Sequence, residues 1–481
     1  MTAAASIGVA QDSRAAGLRF LLVWIAPLAL AAAVSFAPQI LNDGDTFWHL
    51  ATGRWMLQHG QVPAVDPFSY TYAGRPWVTH EWLSEALMAL AWRFAGWSGV
   101  MLLTGLAIGA TAALMARWLL RWLSPLSATA TLVIGLACVA PSLLARPHIL
   151  ALPVLAAWTV ALLEARRRGK APSIWLLPLM ILWANLHSSF IVGVGLAGAL
   201  TLETALDLKV WRWRRVLAWA AFTVGALLAA LVTPHGVDGL AFPLQVMNMK
   251  SLPAISEWRS PDFMKLEPVE IAVLAGLFAL FYRGAKLTAV RAVMALLLVH
   301  MTFQHIRQEV LLGVMAPLLI AEPFGAALGP APTEDQGWRL SRPQAALAAG
   351  LFAALVALRI ATPERRADGP TAPITAMAHV PDALARQPVL NAYDFGGYLI
   401  FDGVKPYIDG RADMYGDDFI ADHSQIMAAS QSALDRAISQ YGVRWAILQP
   451  GQPAVAALDR TPGWRRLYSD SYAVVLAKDG P

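Results

Sequence analysis

The sequence is short of charge. Only 14% of its 481 residues are charged, whereas 57% are hydrophobic. Soluble domains carry about 25% charged residues, so this chain cannot cover a water-facing surface of its size. With a mean hydropathy of +0.50 it reads as a membrane protein. It has a single cysteine, Cys138, inside the apolar run 132–139. That excludes an internal disulfide and a cysteine metal site. There is no Walker loop, no GxGxxG after a strand and no GxSxG elbow. Gly396-Gly397 lacks a phosphate-loop context, so a nucleotide-activated donor has no cradle. No internal repeat is visible, and ionisable residues are scarce within the apolar runs, which weighs against an ion-coupled carrier. Lys and Arg number 37 against 32 Asp and Glu. They sit in short loops, where they set topology; nothing in them points to nucleic acid.

What the chain has in abundance is apolar runs. About eleven spans are expected, at 19–40, 99–119, 128–144, 149–164, 174–185, 190–206, 216–233, 269–282, 287–303, 310–321 and 345–360. The first is long enough to span a bilayer and lacks a cleavage site, so it reads as a retained helix. Basic clusters at Arg117/Arg121, Arg166–Arg168/Lys170, Lys209/Arg212/Arg214/Arg215, Arg283/Lys286/Arg291 and Arg339/Arg342 all fall on one side. That side is cytoplasmic by the positive-inside rule, with the N-terminal stretch 1–18 inside and the C-terminus outside. A bacterial inner membrane is the expected setting.

The opposite face collects the polar chemistry. It receives the first loop, 41–98, the turns 145–148 and 186–189, the loop 234–268, the stretch 304–309 and everything after 361. Within the first loop, 46–59 and 80–94 read as interfacial amphipathic helices, joined by the turn-rich connector 63–77. A linker over 362–387 leads to a small α/β domain over 388–481. There, 388–392, 398–401, 444–448 and 472–477 read as strands and 432–441 as a helix. The fold class is an α-helical polytopic membrane protein, whose transmembrane domain covers 19–361, with a small soluble C-terminal α/β domain.

Three sets of residues carry candidate chemistry. Asp43 and Asp45 directly follow the first span. They either terminate it or serve as a general base and cation ligands, because an acceptor hydroxyl needs a carboxylate within hydrogen-bond reach. Mg or Mn would be the candidate ions, with no further convincing ligands. His80 and Glu81, with Asp66 and Arg75 upstream, lack the second His of a zinc helix, and equally fit an interfacial helix start. Polar signatures recur at the outer ends of later spans: Arg146-Pro147-His148, Asn185-Leu186-His187, Pro234-His235-Gly236, Glu257-Trp258-Arg259 and His305-Ile306-Arg307. Their recurrence on one face suggests a shared cavity. Arg146 and Arg307 suit a phosphate, which a guanidinium clamps with two parallel hydrogen bonds. Most of the 19 tryptophans are expected in an interfacial belt; Trp48, Trp77, Trp82 and Trp258 neighbour the carboxylates and suit a sugar ring. Asp409 and Arg411 read as a structural ion pair.

The stretch 45–55, Asp-Thr-Phe-Trp-His-Leu-Ala-Thr-Gly-Arg-Trp, with Gly60-Gln-Val-Pro, Asp66-Pro-Phe-Ser-Tyr and Pro76-Trp-Val-Thr-His-Glu-Trp-Leu, resembles bacterial polytopic proteins of the GT-C glycosyltransferase superfamily. These stand near the oligosaccharyltransferases and protein mannosyltransferases. Arg146-Pro147-His148, 183–187, 256–261, 396–399 and Ile408-Asp-Gly-Arg411 resemble later signatures of the same group. The resemblance implies a polyprenyl-phosphate-linked sugar donor and a glycan, lipid or protein acceptor outside the cytoplasm. It also implies a first-loop Asp as base, Asp45 before Asp43, and a late basic residue, Arg307, at the donor phosphate. His49, Arg54, Asp66, His80, Glu81, His148, His187, Glu257 and His305 complete the expected substrate-binding set. The competing readings are a flippase for lipid-linked glycan, which predicts inverted repeats and broken helices, and a non-enzymatic envelope scaffold.

Overall fold

A computed structural model of the chain describes residues 17–207, 213–252, 255–328 and 340–479. The N-terminal stretch 1–16 and the basic residues Lys209, Arg212 and Arg339 lie outside them. Helices occupy each of the eleven expected places: α1 (Gly17–Ser35), α2 (Asp45–His59), α3 (Trp82–Trp122), α4 (Pro125–Val139), α5 (Pro147–Arg167), α6 (Leu177–Leu186), α7 (Phe190–Ala205), α8 (Trp213–Ala230), α9 (Val237–Met247), α10 (Pro268–Arg283), α11 (Ala289–Gln304), α12 (Glu309–Leu328) and α13 (Arg342–Ala361). The additional two are α2, expected in the first loop, and α9, which forms within the expected loop 234–268. Among the described residues, six helices are long and apolar enough to cross a membrane: α1, α3, α4 with its following turn, α5, α12 with its preceding turn, and α13. Helices α6, α7, α9 and α11 are apolar but shorter.

Local chemistry sets these boundaries. Ser124 accepts a hydrogen bond from Ser127 N and is followed by Pro125, and Ser341 with Gln344 forms a capping box ahead of α13. The expected break between a helix at 80–94 and a span at 99–119 is a kink inside α3, where Ala95 (φ −145°, ψ 22°) and Gly96 (φ 57°, ψ −144°) leave helical geometry, the second in a conformation that glycine reaches without a Cβ clash.

The membrane-type core is built around fully buried indoles. Trp158, Trp183 and Trp219 have 0% exposure, so these three stand inside the bundle and outside the belt expected of most tryptophans. Trp158 Nε1 donates to Gly193 O at 3.0 Å and Trp183 Nε1 to Ser189 Oγ at 3.0 Å, so burial leaves neither polar tip unpaired. Basic residues from separate loops meet in two ionic groups: Arg121 with Glu164, and Arg166 and Arg291 on the shared Glu203, with Asp207 also on Arg166.

The C-terminal segment holds one four-stranded sheet in the order β1-β2-β4-β3, from β1 (Val389–Asn391), β2 (Trp445–Leu448), β3 (Trp464–Ser469) and β4 (Val474–Lys478). Strands β1 and β2 are parallel, and the other two pairings are antiparallel. A parallel pair needs a crossover, supplied by α15 (Ala412–Met427) and α16 (Gln431–Gln440) after a short α14 (Gly396–Phe401); α17 (Pro453–Arg460) follows β2. The stretch 398–401, expected as a strand, is therefore helical. Gly396–Ile400 are all buried in it, and a short run buried all round carries no period that separates helix from strand. Strand β3 and helix α15 have no counterpart among the expected elements.

This segment does not stand apart from the first loop. Arg411 Nη1 donates to Asp66 Oδ1 at 2.7 Å, Arg411 Nη2 and Nε donate to Asp409 at 2.6 and 2.7 Å, and Tyr415 Oη donates to Asp409 Oδ2 at 2.6 Å. The side chains of Arg411, Asp66 and Asp409 are all 0% exposed. The Arg411 guanidinium also lies 4.7 Å from the Trp77 ring centre. The expected Asp409–Arg411 pair is real, and its third member lies in the first loop.

Candidate functional site

A cavity of about 670 Å³ opens where α2, the start of α3, the start of α5, the segment after α9 and the C-terminal segment meet. One part of its wall is apolar, with Leu144, Leu152, Val192, Phe242, Val246 and Leu311; the other is ionic. Asp43, Asp45, His49, His80, Glu81, Arg146, His148, His187, Glu257 and Arg307, dispersed along 265 residues of sequence, all line it.

Arg146 organises the ionic part. It is held at the N-terminal boundary of α5, just before Pro147. Its Nε donates to Asp43 Oδ2 at 2.7 Å, its Nη2 pairs with Asp43 Oδ1 and lies 3.0 Å from Asp45 Oδ2, and its Nη1 donates to Glu257 Oε2 at 2.8 Å. All three guanidinium nitrogens are thus committed to carboxylates. Asp43 is further fixed by Thr46, whose N and Oγ1 each donate to Oδ2 at 3.0 Å. Glu257 carries the chain of charge outward to Arg307, whose Nη1 lies 3.1 Å from Oε1 and whose guanidinium rests 4.4 Å from the Trp258 ring centre. Arg307, expected at a phosphate, keeps 29% side-chain exposure, and among the described residues its carboxylate contact is through Nη1 alone. Arg146, expected in the same role, is instead enclosed.

The two aspartates are separated by their surroundings. Burial pushes Asp43 up, but the Arg146 charge and hydrogen bonds outweigh it and hold the carboxyl at about 2. Asp45 feels the same burial with weaker compensation from Arg146 and with repulsion from Asp43 and Glu257, and is pushed up to about 7. Its Oδ1 accepts from Trp48 Nε1 at 3.0 Å, and its side chain keeps 22% exposure.

A second cluster adjoins the first. Glu81 lies 3.3 Å from His80 Nε2, 3.2 Å from His187 Nε2 and 3.7 Å from His49 Nε2, while His49 Nδ1 meets Glu85 Oε1 at 3.0 Å. Burial drives His49 and His187 down to about 3, so both are neutral. Burial also pushes His80 down, but the Glu81 carboxylate outweighs it and raises the ring above the ordinary histidine value. The His80 ring stacks on Phe242 at 3.9 Å.

Three expected substrate contacts lie elsewhere. Asp66 is sealed between Arg411, Ser69 and the Phe68 amide. Arg54 stacks on Trp92 and Phe401 at 4.9 and 5.2 Å. His305 Nδ1 pairs with Trp258 O at 2.7 Å, supporting the strand of chain that carries Arg307. Each meets a partner that only the folded chain supplies. Conversely, Thr371, Tyr393, Asp394, Gly410 and Asp413 line the cavity from the C-terminal segment, outside every expected site residue. The stretches 396–399 and Ile408-Asp-Gly-Arg411 are the signals in the sequence that point there, through Gly397 and Gly410.

Mg or Mn is not matched by this arrangement. Such ions demand several oxygens in near-ideal octahedral geometry, and the position between Asp43, Asp45 and Glu257 is taken by the Arg146 guanidinium. Among the described residues no group of three or more His, Cys, Asp or Glu side chains is disposed to hold a metal.

No protein-family profile matches the sequence, and no curated protein matches it. Solved structures do match in fold. ArnT from Cupriavidus metallidurans, in the apo state, aligns with a TM-score of 0.52 at 14% identity, over 94% of this chain and 97% of that one. The same protein bound to undecaprenyl phosphate gives 0.50 at 14% identity, over the same shares. The archaeal oligosaccharyltransferase AglB from Archaeoglobus fulgidus, in complex with an inhibitory peptide and a dolichol-phosphate, gives 0.51 at 12% identity, over 95% of this chain and 74% of that one. The chain thus shares the fold of ArnT and AglB.

Proposed function

We propose that this protein is a membrane glycosyltransferase that moves a sugar from a polyprenyl-phosphate carrier to a hydroxyl of an extracytoplasmic glycan, lipid or protein, with Asp45 as the base. The observation that carries the reading is the separation of Asp45 from Asp43. Arg146 gives Nε and Nη2 to Asp43 and only the shared Nη2 to Asp45, so Asp43 is held low while burial leaves Asp45 raised. A base works best with a pKa near the working pH; Asp45 meets that condition and Asp43 does not. The apolar wall suits a polyprenyl tail, and the fold is shared with proteins solved with undecaprenyl phosphate and with dolichol-phosphate.

In the proposed step the acceptor O–H gives its proton to Asp45 Oδ2. The oxygen bonds to the anomeric carbon as the bond from that carbon to the phosphate oxygen breaks. The electron pair leaves with polyprenyl phosphate, and Arg307 meets its charge through the nitrogens that face away from Glu257. Attack opposite the leaving phosphate inverts the anomeric centre. Arg146 remains in place throughout, keeping Asp43 ionised and Asp45 aimed.

The orientation belongs to the same proposal. The basic loops meet at one end of the bundle, around Arg121, Arg166 and Arg291, and the positive-inside rule assigns that end to the cytoplasm. The cavity and the C-terminal segment then face outward, and eleven crossings satisfy the arrangement.

The test is transfer by the purified chain in vesicles supplied with a polyprenyl-phosphate sugar and a hydroxyl acceptor. Release of polyprenyl phosphate that depends on both acceptor and Asp45 supports the reading. Passage of intact donor across the bilayer without release would replace it with a flippase.

A further inference from the structure

The C-terminal segment touches the proposed base directly. A Cβ placed on Gly410 would stand 1.8 Å from Asp45 Oδ1 and 2.9 Å from Trp48 Nε1, the two atoms that share the 3.0 Å hydrogen bond. A Cβ on Gly397 would stand 2.1 Å from Gly44 O, the carbonyl immediately before Asp45. The backbone of the C-terminal segment is therefore packed against the start of α2 at the base itself, Gly397 against main chain and Gly410 against the Asp45 carboxylate. Residue 410 has no freedom to withdraw. Its neighbours Asp409 and Arg411 are locked with Asp66 and Tyr415, and Ile408 O accepts from Asn391 Nδ2 at 2.8 Å. Any group added there must be accommodated by the Asp45 carboxylate.

Tyr393 stands on the same wall. It lines the cavity together with Asp45, and burial, followed by the negative charge of Asp45 and then of Asp409, Glu257 and Asp413, holds its phenol well above the ordinary tyrosine range. We infer that the C-terminal segment is a wall of the catalytic centre, and that Gly410 and Tyr393 are positioning residues for Asp45. This rests on the role proposed for Asp45. The groups that face that carboxylate are Arg146 from the start of α5, Asp43 and Trp48 from its own region, Glu257 from the segment after α9, and Tyr393 and Gly410 from the C-terminal segment. The last pair is the contribution that the membrane helices do not make.

The experiment uses the full-length chain in lipid nanodiscs as wild type, Gly410→Ala, Tyr393→Phe and the control Gly451→Ala, whose added methyl meets open space. Labelling of Asp45 by a carbodiimide and an amine is followed against pH by peptide mass spectrometry, with the exposed Asp262 as internal reference. In Gly410→Ala and Tyr393→Phe the pH midpoint for Asp45 is expected to move by about half a unit or more while Asp262 stays fixed. In the transfer assay kcat is expected to fall about tenfold with the donor KM within about twofold. Gly451→Ala matches wild type in both. Wild-type midpoints for Asp45 in both variants would overturn the inference. If the Gly410→Ala chain does not accumulate, the Tyr393→Phe midpoint alone decides, since that change removes a single oxygen. If the wild-type protein transfers no sugar, the proposed function fails by itself, while the labelling still decides whether the segment positions Asp45.

Discussion

Arg146 Nη2 lies 3.0 Å from Asp45 Oδ2 while the same nitrogen is paired with Asp43, so one cation serves two carboxylates of unequal basicity. Asp43 takes most of the charge and stays ionised; Asp45 is left as the more basic partner.

Asp45→Asn keeps the shape of the side chain and removes the proton acceptor. Transfer should fall by about 10²–10⁴, the usual contribution of a general base, with polyprenyl-phosphate binding retained. Single-turnover transfer and a separate lipid-binding measurement check the two parts. Asp43→Asn should instead lower thermal stability, because Arg146 loses its closest partner.

The pH profile follows from the value of about 7 for Asp45. The base must be ionised to accept a proton, so kcat should rise with pH and reach half its plateau near pH 7. A profile with its acid limb near pH 4 would mean that Asp45 is an ordinary carboxylate.

Arg146 gives a prediction about metals. Its guanidinium stands where a bridging cation would have to stand, so a chelator should leave the rate unchanged. Arg146→Ala would leave several buried carboxylates facing one another, and breaking a buried pair costs about 3–5 kcal/mol. Loss of both activity and thermal stability is expected, with added Mg restoring neither.

Arg307 is the more exposed cation and the one with nitrogens to spare. Arg307→Ala should raise the donor KM by about 10- to 100-fold, the equivalent of one or two charge-assisted hydrogen bonds. The acceptor KM should move much less. Equal changes in both would place the phosphate elsewhere.

Stability should fall on acidification. His49 and His187 are held near 3 by burial, below the ordinary histidine value of about 6.5. A group depressed on folding contributes its stability above the unfolded pKa and loses it as pH falls. The share of the thermal midpoint that these two histidines supply should therefore be complete above about pH 6.5 and decline progressively between there and pH 3, as the unfolded chain takes up protons that the folded chain refuses, while Asp45, raised on folding, works in the opposite sense up to about pH 7.

Helix positions were legible in the sequence because each apolar run is long and distinct from the loops around it. The site was legible for a related reason: charge is so scarce that polar residues at the ends of spans are conspicuous, and Asp43, Asp45, Glu81, Arg146, His187, Glu257 and Arg307 do meet in one cavity. What could not be read was which of them would be consumed by a neighbour. Arg146 and Arg307 look alike in sequence, yet one is enclosed by three carboxylates and the other is half free. Asp66 has the look of a ligand in sequence, but its partner, 345 residues away, closes on it. The contribution of Tyr393, Asp394 and Gly410 was hidden because nothing local links them to the first loop; the contact exists only in three dimensions.

That long-range closure between Asp66 and Arg411 has a consequence for biogenesis. Asp66 is translated 345 residues ahead of Arg411, so until the later segment has been made and has folded onto the first loop, the ionic wall of the cavity lacks its lid of backbone.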